Sequence, residues 1–172
     1  MKYQGDFRRF AKELLAGIFA DPEYGPLYER LCEREPGLAD VSKDHFSMEY
    51  LGAKLALAAR SWEALCEESG IHEKDTLKVF FQSALDCFQS PKMTPLAASF
   101  SDCYYASEGS PPRELALSLT GRLVQRMVSG VPLSGKSQER LESVKLLLET
   151  LEGFRGAFEN RFHDFLIASL GF

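Results

Sequence analysis

Long apolar runs are missing from this sequence. No uncharged stretch approaches the roughly 18 residues that a helix needs to cross a bilayer. The first ten residues, MKYQGDFRRF, also contain no apolar segment of the kind found in signal peptides. We therefore expect a chain that neither spans a membrane nor is exported by a signal peptide.

Positive charge is also scarce. The sequence has 20 Lys and Arg residues and 25 Asp and Glu residues, so its formal net charge is −5. Proteins that bind nucleic acids need a basic surface that replaces the counterions around phosphates. The nearest approach to one is Arg122 and Arg126 on one helix face, followed by Lys136 and Arg140. Two arginines one turn apart are typical of a solvated helix face, so we do not expect nucleic acid as a partner.

Cysteine is infrequent, and its four residues form no CxxC pair. Each lies beside an apolar residue at helical spacing, and a chain of this size does not need disulfides for stability. We therefore interpret all four as buried free thiols and expect a reducing, cytoplasmic location. They are Cys32, Cys66, Cys87 and Cys103.

Histidine occurs only at His45, His72 and His163. A helical di-iron site needs Glu-x-x-His pairs, and the sequence contains none. Glu68 and Glu159 each precede a histidine by four residues, which is an ordinary spacing for a surface pair. Because no nucleophile–base pair and no working pair of carboxylates is recognisable, we expect no metal site, no cofactor and no catalytic residue.

One segment matches a nucleotide-binding motif. Residues 130–137, GVPLSGKS, follow the P-loop pattern of two glycines five positions apart before Lys136 and Ser137. A P-loop joins a buried strand to a helix, and further strands complete its sheet. Here the preceding residues, RLVQRMVS, continue a helical pattern, and the residues after Ser137 form one more. We therefore interpret the segment as a turn between helices, with Gly130 as C-cap, Pro132 as stop and Ser137 as N-cap.

Phenylalanine, in contrast, is abundant, with 13 residues among 172 against 6 Tyr and 1 Trp. Because its ring has no polar group, most of these side chains must lie in a core, an interface or a ligand cavity. Apolar residues recur with the helical period of 3.6, and no stretch shows sustained strand-like alternation. The sequence thus predicts an all-α protein in which residues 1–172 form a single compact bundle of about seven helices.

Local signals predict the helix limits. Ser42 is predicted to cap the third helix, with Val41 and Phe46 as a hydrophobic staple, and Gly70 to end it in a left-handed turn. Asp21 is predicted to cap a short second helix that has Pro22 in its first position and ends before Pro36. The other predicted helices cover residues 3–20, 72–89 and 137–170, and two more begin at Thr94 and Ser110.

The last helix is predicted to be long. Thirty-odd residues give a rod of about 50 Å, whereas a compact domain of this length is about 40 Å across. Such a rod must either break, at Gly153 or Gly156, or project and pack on a second copy. Its predicted apolar face comprises Leu141, Val144, Leu147, Leu148, Leu151, Phe154, Phe158, Phe162 and Phe165; that of the 72–89 helix comprises Leu77, Phe80, Phe81, Ala84, Leu85 and Phe88.

The abundant phenylalanines and the long last helix lead to two functional hypotheses. The first is a cytoplasmic protein-interaction or regulatory module without catalytic chemistry, which forms a homodimer through the C-terminal helix. The second is a carrier or sensor that binds a lipid, an isoprenoid or a tetrapyrrole in a Phe-lined cavity, where a haem would take a histidine as axial ligand. The candidate surface in both cases is Phe154, Phe158, Phe162 and Phe165, for which core packing is the alternative.

Overall fold

The computed structural model describes residues 4–22, 24–71, 73–128 and 137–171. Within these ranges it contains seven α-helices, three short 3-10 turns and no β-strand, which confirms the predicted all-α bundle with a long C-terminal helix. None of these helices has the length and apolar character needed to cross a membrane. The helices are α1 (Gln4–Phe19), α2 (Tyr24–Arg34), α3 (Lys43–Glu68), α4 (Glu73–Cys87), α5 (Thr94–Ala106), α6 (Leu115–Val128) and α7 (Ser137–Leu170).

The limits of α3 follow from the capping residues that the sequence indicates. The Ser42 hydroxyl accepts a hydrogen bond of 3.1 Å from the backbone N–H of His45, which confirms Ser42 as N-cap. At the other end Gly70 has a φ of 64°, the left-handed conformation that glycine adopts cheaply. Hydrogen bonds from Ile71 to the Cys66 carbonyl and from Gly70 to the Glu67 carbonyl complete this turn.

The bundle is built around α3. Every residue from Glu49 through Ala59 is buried, so three turns of this helix have no face toward solvent. Among the described residues α3 contacts each of the other six α-helices. Most residues of this enclosed segment are apolar or small, including the alanines at positions 53, 56, 58 and 59, and its charged residues Glu49 and Lys54 form ion pairs.

Small residues let α5 cross α3 at short range. A Cβ atom on Gly52 would lie 2.3 Å from the Ser99 hydroxyl oxygen and 2.9 Å from the backbone nitrogen of Phe100. Real Cβ atoms do not approach other atoms so closely, so only glycine fits at this position. The crossing fixes the position of α5 relative to the centre of the bundle.

An aromatic cluster around Trp62 joins three helices to α3. The indole is fully buried, and its N–H donates to the Thr76 hydroxyl at 3.2 Å. Its closest ring neighbour is Phe162 of α7, with centroids 5.1 Å apart in an edge-to-face arrangement. The other rings around it are Phe7 and Phe10 of α1 and Phe80 of α4, with centroids at 5.6–5.9 Å.

Two predicted helix starts are wrong, and one of the two alternatives for the last helix is excluded. The helix predicted to begin at Ser110 is α6, which begins at Leu115 after a 3-10 turn. The described part of the second helix begins at Tyr24, Pro22 lies in a turn and not in the first helical position, and Asp21 forms an ion pair with Lys54 of α3.

The last helix does not break, because α7 runs continuously through Gly153 and Gly156. Neither glycine has an atom within 4 Å of the place where a Cβ would stand. A glycine within a helix lowers the stability by only about 1 kcal/mol relative to alanine. Several residues of α7 from Ser143 to Leu166 are buried, so this helix packs against the other helices of its own chain.

Four predictions of burial are also wrong. Leu85 of α4 is 63% exposed and Leu141 of α7 is 66% exposed, although both lie at the expected helical spacing. Cys87 is exposed at the end of α4 and Cys32 is only partly buried, whereas Cys66 and Cys103 are buried as predicted. Leu85 lies on an apolar face that no neighbouring helix covers, and Leu141 lies near the start of α7.

Candidate functional site

A cleft with a volume of about 600 Å³ lies between α4 and α5. Its walls are apolar and mostly aromatic, and α3 forms its floor through Arg60. We call this feature the α4–α5 cleft. One wall comes from α4 and the turn after it, with Phe81, Leu85 and Phe88, and the other from α5 and the turn after it, with Ala97, Phe100, Ser101, Tyr104, Tyr105 and Glu108.

The two walls result from apolar stripes at helical spacing. Phe81, Leu85 and Phe88 follow one another at steps of four and three, which puts them on one face of α4. The rings of the two helices meet across the cleft: the centroids of Phe81 and Tyr104 are 5.2 Å apart, and those of Phe88 and Phe100 are 6.0 Å apart. The walls are therefore held by ring packing.

The charged group in the floor is neutralised within the protein. The Arg60 guanidinium lies 3.9 Å from the centroid of the Tyr104 ring. It donates to the Tyr104 carbonyl at 2.7 Å and to the Glu63 carboxylate at 2.9 Å. Glu63 also accepts a hydrogen bond from the Tyr104 hydroxyl. Burial and this bond raise the pKa of Tyr104, so the hydroxyl stays protonated and the floor presents no net charge.

Two large apolar side chains stand exposed at the rim of the cleft. Leu85 is 63% and Tyr105 67% exposed, one on each side. The other large apolar side chains with exposure above half that the structure describes are on α6 and near the two ends of α7 (Leu117, Leu141 and Ile167). The cleft is thus the place where exposed apolar groups and a concave apolar surface coincide.

The phenylalanines predicted as a site lie elsewhere, on α7. Phe158 and Phe162 are buried in the core, with Phe162 against Trp62. Phe165 is partly buried and stacks on Phe10 with a centroid distance of 4.5 Å. Phe154 is partly buried, with the Lys54 ammonium 4.5 Å from its ring centroid. Their positions agree with core packing, and a role for them in binding stays a prediction.

Several other sequence features have a clear position. The GVPLSGKS segment lies outside the described residues except for Ser137, where α7 begins, and His72 lies outside them as well. His45 and His163 are exposed. Glu159 forms an ion pair with Arg155 within α7. Among the described residues no group of three or more His, Cys, Asp or Glu side chains is placed to hold a metal ion.

Arg122 and Arg126 do not form the solvated face that we predicted. Arg122 donates to both carboxylate oxygens of Asp102 at 2.7 Å, and Arg126 donates to Glu49 at 2.9 Å. Glu49 is buried and also accepts from the Ser99 hydroxyl at 2.8 Å. These ion pairs connect α3, α5 and α6.

Burial and the negative charges beside Cys103 raise the pKa of its thiol to about 11, so the thiol is protonated at neutral pH.

The sequence analysis missed the cleft because it assigned Phe81, Leu85 and Phe88 to the buried face of their helix. A stripe at helical spacing identifies the apolar face of a helix but not whether a neighbour covers that face. The adjacent residues Tyr104 and Tyr105 were a signal that an aromatic side chain is exposed here. Two adjacent residues on a helix cannot both pack against the same neighbouring helix. When compared with protein-family models, with curated proteins and with solved structures, the chain matches none of them.

Proposed function

We propose that this protein is a helical interaction module, without catalytic chemistry of its own, that holds an apolar segment of a protein partner in the α4–α5 cleft. The observation that carries the proposal is the pair of exposed side chains, Leu85 and Tyr105, on either side of an aromatic cleft. Exposed apolar groups that adjoin a concave apolar surface are typical of protein-binding grooves. A cytoplasmic location is part of the proposal and is supported by four free cysteines.

The composition of the cleft indicates the chemistry of the bound segment. Tyrosine and phenylalanine supply large contact areas at interfaces and lose little conformational entropy on binding. The Arg60–Glu63 pair leaves no net charge in the floor, so the groove does not select a charged side chain at its centre. The favoured occupant is an amphipathic helix that inserts two or three apolar side chains.

The test is a selection of short amphipathic peptides on the immobilised chain, followed by measurement of Kd by fluorescence polarisation. Leu85→Glu places a charge on the rim, and we expect it to weaken the binding of selected peptides by roughly tenfold or more. Leu117→Glu is the matched control, because Leu117 is 55% exposed on α6, away from the cleft. Equal affinity for the two variants, or failure to select any saturable binder, would contradict the proposal.

A second candidate function is a carrier for an apolar small molecule, and the volume of the cleft favours it. About 600 Å³ lies within the range of pockets that enclose small ligands. Native mass spectrometry of the purified protein distinguishes the two candidates. A lipid or isoprenoid that co-purifies with wild type and is lost in Leu85→Glu supports the carrier, and an unliganded mass with peptide binding supports the interaction module.

A further inference from the structure

We propose that a second cavity, between α2, α3 and α7, binds a small organic anion whose carboxylate or phosphate group lies beside an apolar portion. The cavity has a volume of about 520 Å³. Its polar wall is formed by Arg30 of α2, Lys54 of α3 and Glu149 and Thr150 of α7, and its apolar wall by Leu146, Phe154 and Ala157 of α7. The proposal is independent of the α4–α5 cleft.

The ammonium group of Lys54 is the first observation. Its side chain is only 7% exposed, and Asp21 is the one oxygen acceptor that it contacts among the described residues. Its remaining surroundings are aromatic, with ring centroids of Tyr50 and Phe154 at 5.3 and 4.5 Å. An ammonium group has three donors, and a ring replaces an oxygen acceptor only weakly. A buried cation in this state is stabilised by a further acceptor, which an anion in the cavity supplies.

The charge of the lining residues is the second observation. Lys54 is paired with Asp21, and Glu149 lies 4.0 Å from Lys145. Arg30 is exposed and forms no ion pair with the residues that the structure describes, so the cavity keeps one uncompensated positive charge. In a chain with a net charge of −5, such a cavity attracts an anion locally.

The shape of the cavity accounts for the apolar portion of the ligand. Gly153 lies in its wall, is exposed, and has no neighbouring atom within 4 Å of the place where a Cβ would stand. The space at Gly153 is therefore free for a ligand. A ligand that enters here has its anionic group between Lys54 and Arg30 and its apolar group against Phe154.

The proposal is tested by titrating the full-length protein with sodium benzoate or with inorganic phosphate, at constant ionic strength set with NaCl. The readout is the NMR amide signal of Gly153 in the cavity wall, with that of Gly121 on α6 as the remote reference. We expect benzoate to shift the Gly153 signal saturably, and Arg30→Ala to weaken this binding roughly tenfold. Arg8→Ala removes an exposed arginine from α1 and is expected to leave the binding unchanged.

Lys54→Met is the second variant, and we expect it to abolish the shift of the Gly153 signal. If Lys54→Met does not fold, the result with Arg30→Ala tests the proposal. Saturable binding of phosphate alone would assign the cavity to small inorganic anions and overturn the apolar part of the proposal. No saturable shift with either probe, or equal weakening in Arg30→Ala and Arg8→Ala, would overturn it entirely.

Discussion

Gly52 is a single position on which the packing of two helices depends. Its missing Cβ lets Ser99 and Phe100 of α5 approach α3 to a distance that no other residue allows. We expect Gly52→Ala to lower the free energy of unfolding by about 1–3 kcal/mol, because the added methyl group meets backbone atoms that cannot move away easily. Urea denaturation monitored by circular dichroism measures the change.

Gly121 provides the matched control for this substitution. It is exposed in α6, and no atom lies within 4 Å of the place where its Cβ would stand. Gly121→Ala is expected to raise the free energy of unfolding by about 0.5–1 kcal/mol, since alanine has the higher helix propensity. Two alanine variants with the same stability would show that the close crossing of α3 and α5 is absent.

Asp102 makes the stability of the protein depend on pH in the acid range. Hydrogen bonds from Arg122, with its charge and that of Arg126, lower the pKa of this carboxyl below its ordinary value. A carboxyl group whose pKa is lower in the folded than in the unfolded chain stabilises the fold above the unfolded pKa, near 3.9, and this stabilisation is lost as the pH falls through the folded pKa.

We therefore expect the free energy of unfolding to decrease as the pH falls below about 4, and to decrease less in Asp102→Asn, which cannot ionise. Guanidinium denaturation of both proteins at a series of pH values measures the difference. If the variant lost stability as steeply as wild type, the pKa of Asp102 would not be lowered in the folded protein.

At the scale of the helix, α7 shows how burial varies along one apolar stripe. Phe162 is fully buried against Trp62, whereas Leu141 is 66% exposed near the start of the same helix. Phe162→Ala is expected to lower the free energy of unfolding by about 3–5 kcal/mol because it leaves a cavity in the core. Leu141→Ala, the control, is expected to change it by less than about 0.5 kcal/mol. Thermal unfolding of both variants tests this, and comparable losses would contradict the register of α7.

The limits of α3 were predictable because local signals determine them, whereas the signals at Asp21 and Ser110 misplaced the starts of α2 and α6. Ser42 and Gly70 determine the limits of α3, because a cap and a left-handed turn depend only on the few residues around them. Burial at the margins of a stripe was not predictable, as Leu85 and Leu141 show. The complete burial of α3 was also missed, because alanine is small enough to be assigned to either an exposed or a buried face.

At the scale of the molecule, the α4–α5 cleft was not predictable because it depends on how far apart two helices stand. That distance is set by the crossing of α3 and α5 and by the cluster around Trp62, which join residues far apart in the sequence. The ion pair of Arg126 with Glu49 was not predictable for the same reason, since 77 positions separate the two residues. Such contacts leave no periodic pattern in a single sequence.

Homodimer formation through α7 stays a prediction, and the fold limits which residues can take part. Phe158 and Phe162 are occupied within their own chain, so a contact through α7 has to use exposed residues such as Leu141 and Ile167. If α7 forms the interface, light scattering is expected to give a dimer mass for wild type and a monomer mass for a Leu141→Glu, Ile167→Glu double variant. A monomeric wild type excludes self-association, and a dimer that persists in the variant excludes α7 as its interface.

The enclosure of α3 determines how this protein exchanges its amide protons with solvent. The amides of the segment from Glu49 to Ala59 lie in a helix that its neighbours cover, so we expect fraying of α7 or opening of the cleft to leave most of them protected. If so, exchange of deuterium into these amides needs extensive unfolding of the bundle, and its rate reports the global free energy of unfolding. We therefore expect the slowest exchange in the alanine-rich helix at the centre of the molecule and faster exchange in the helices around it.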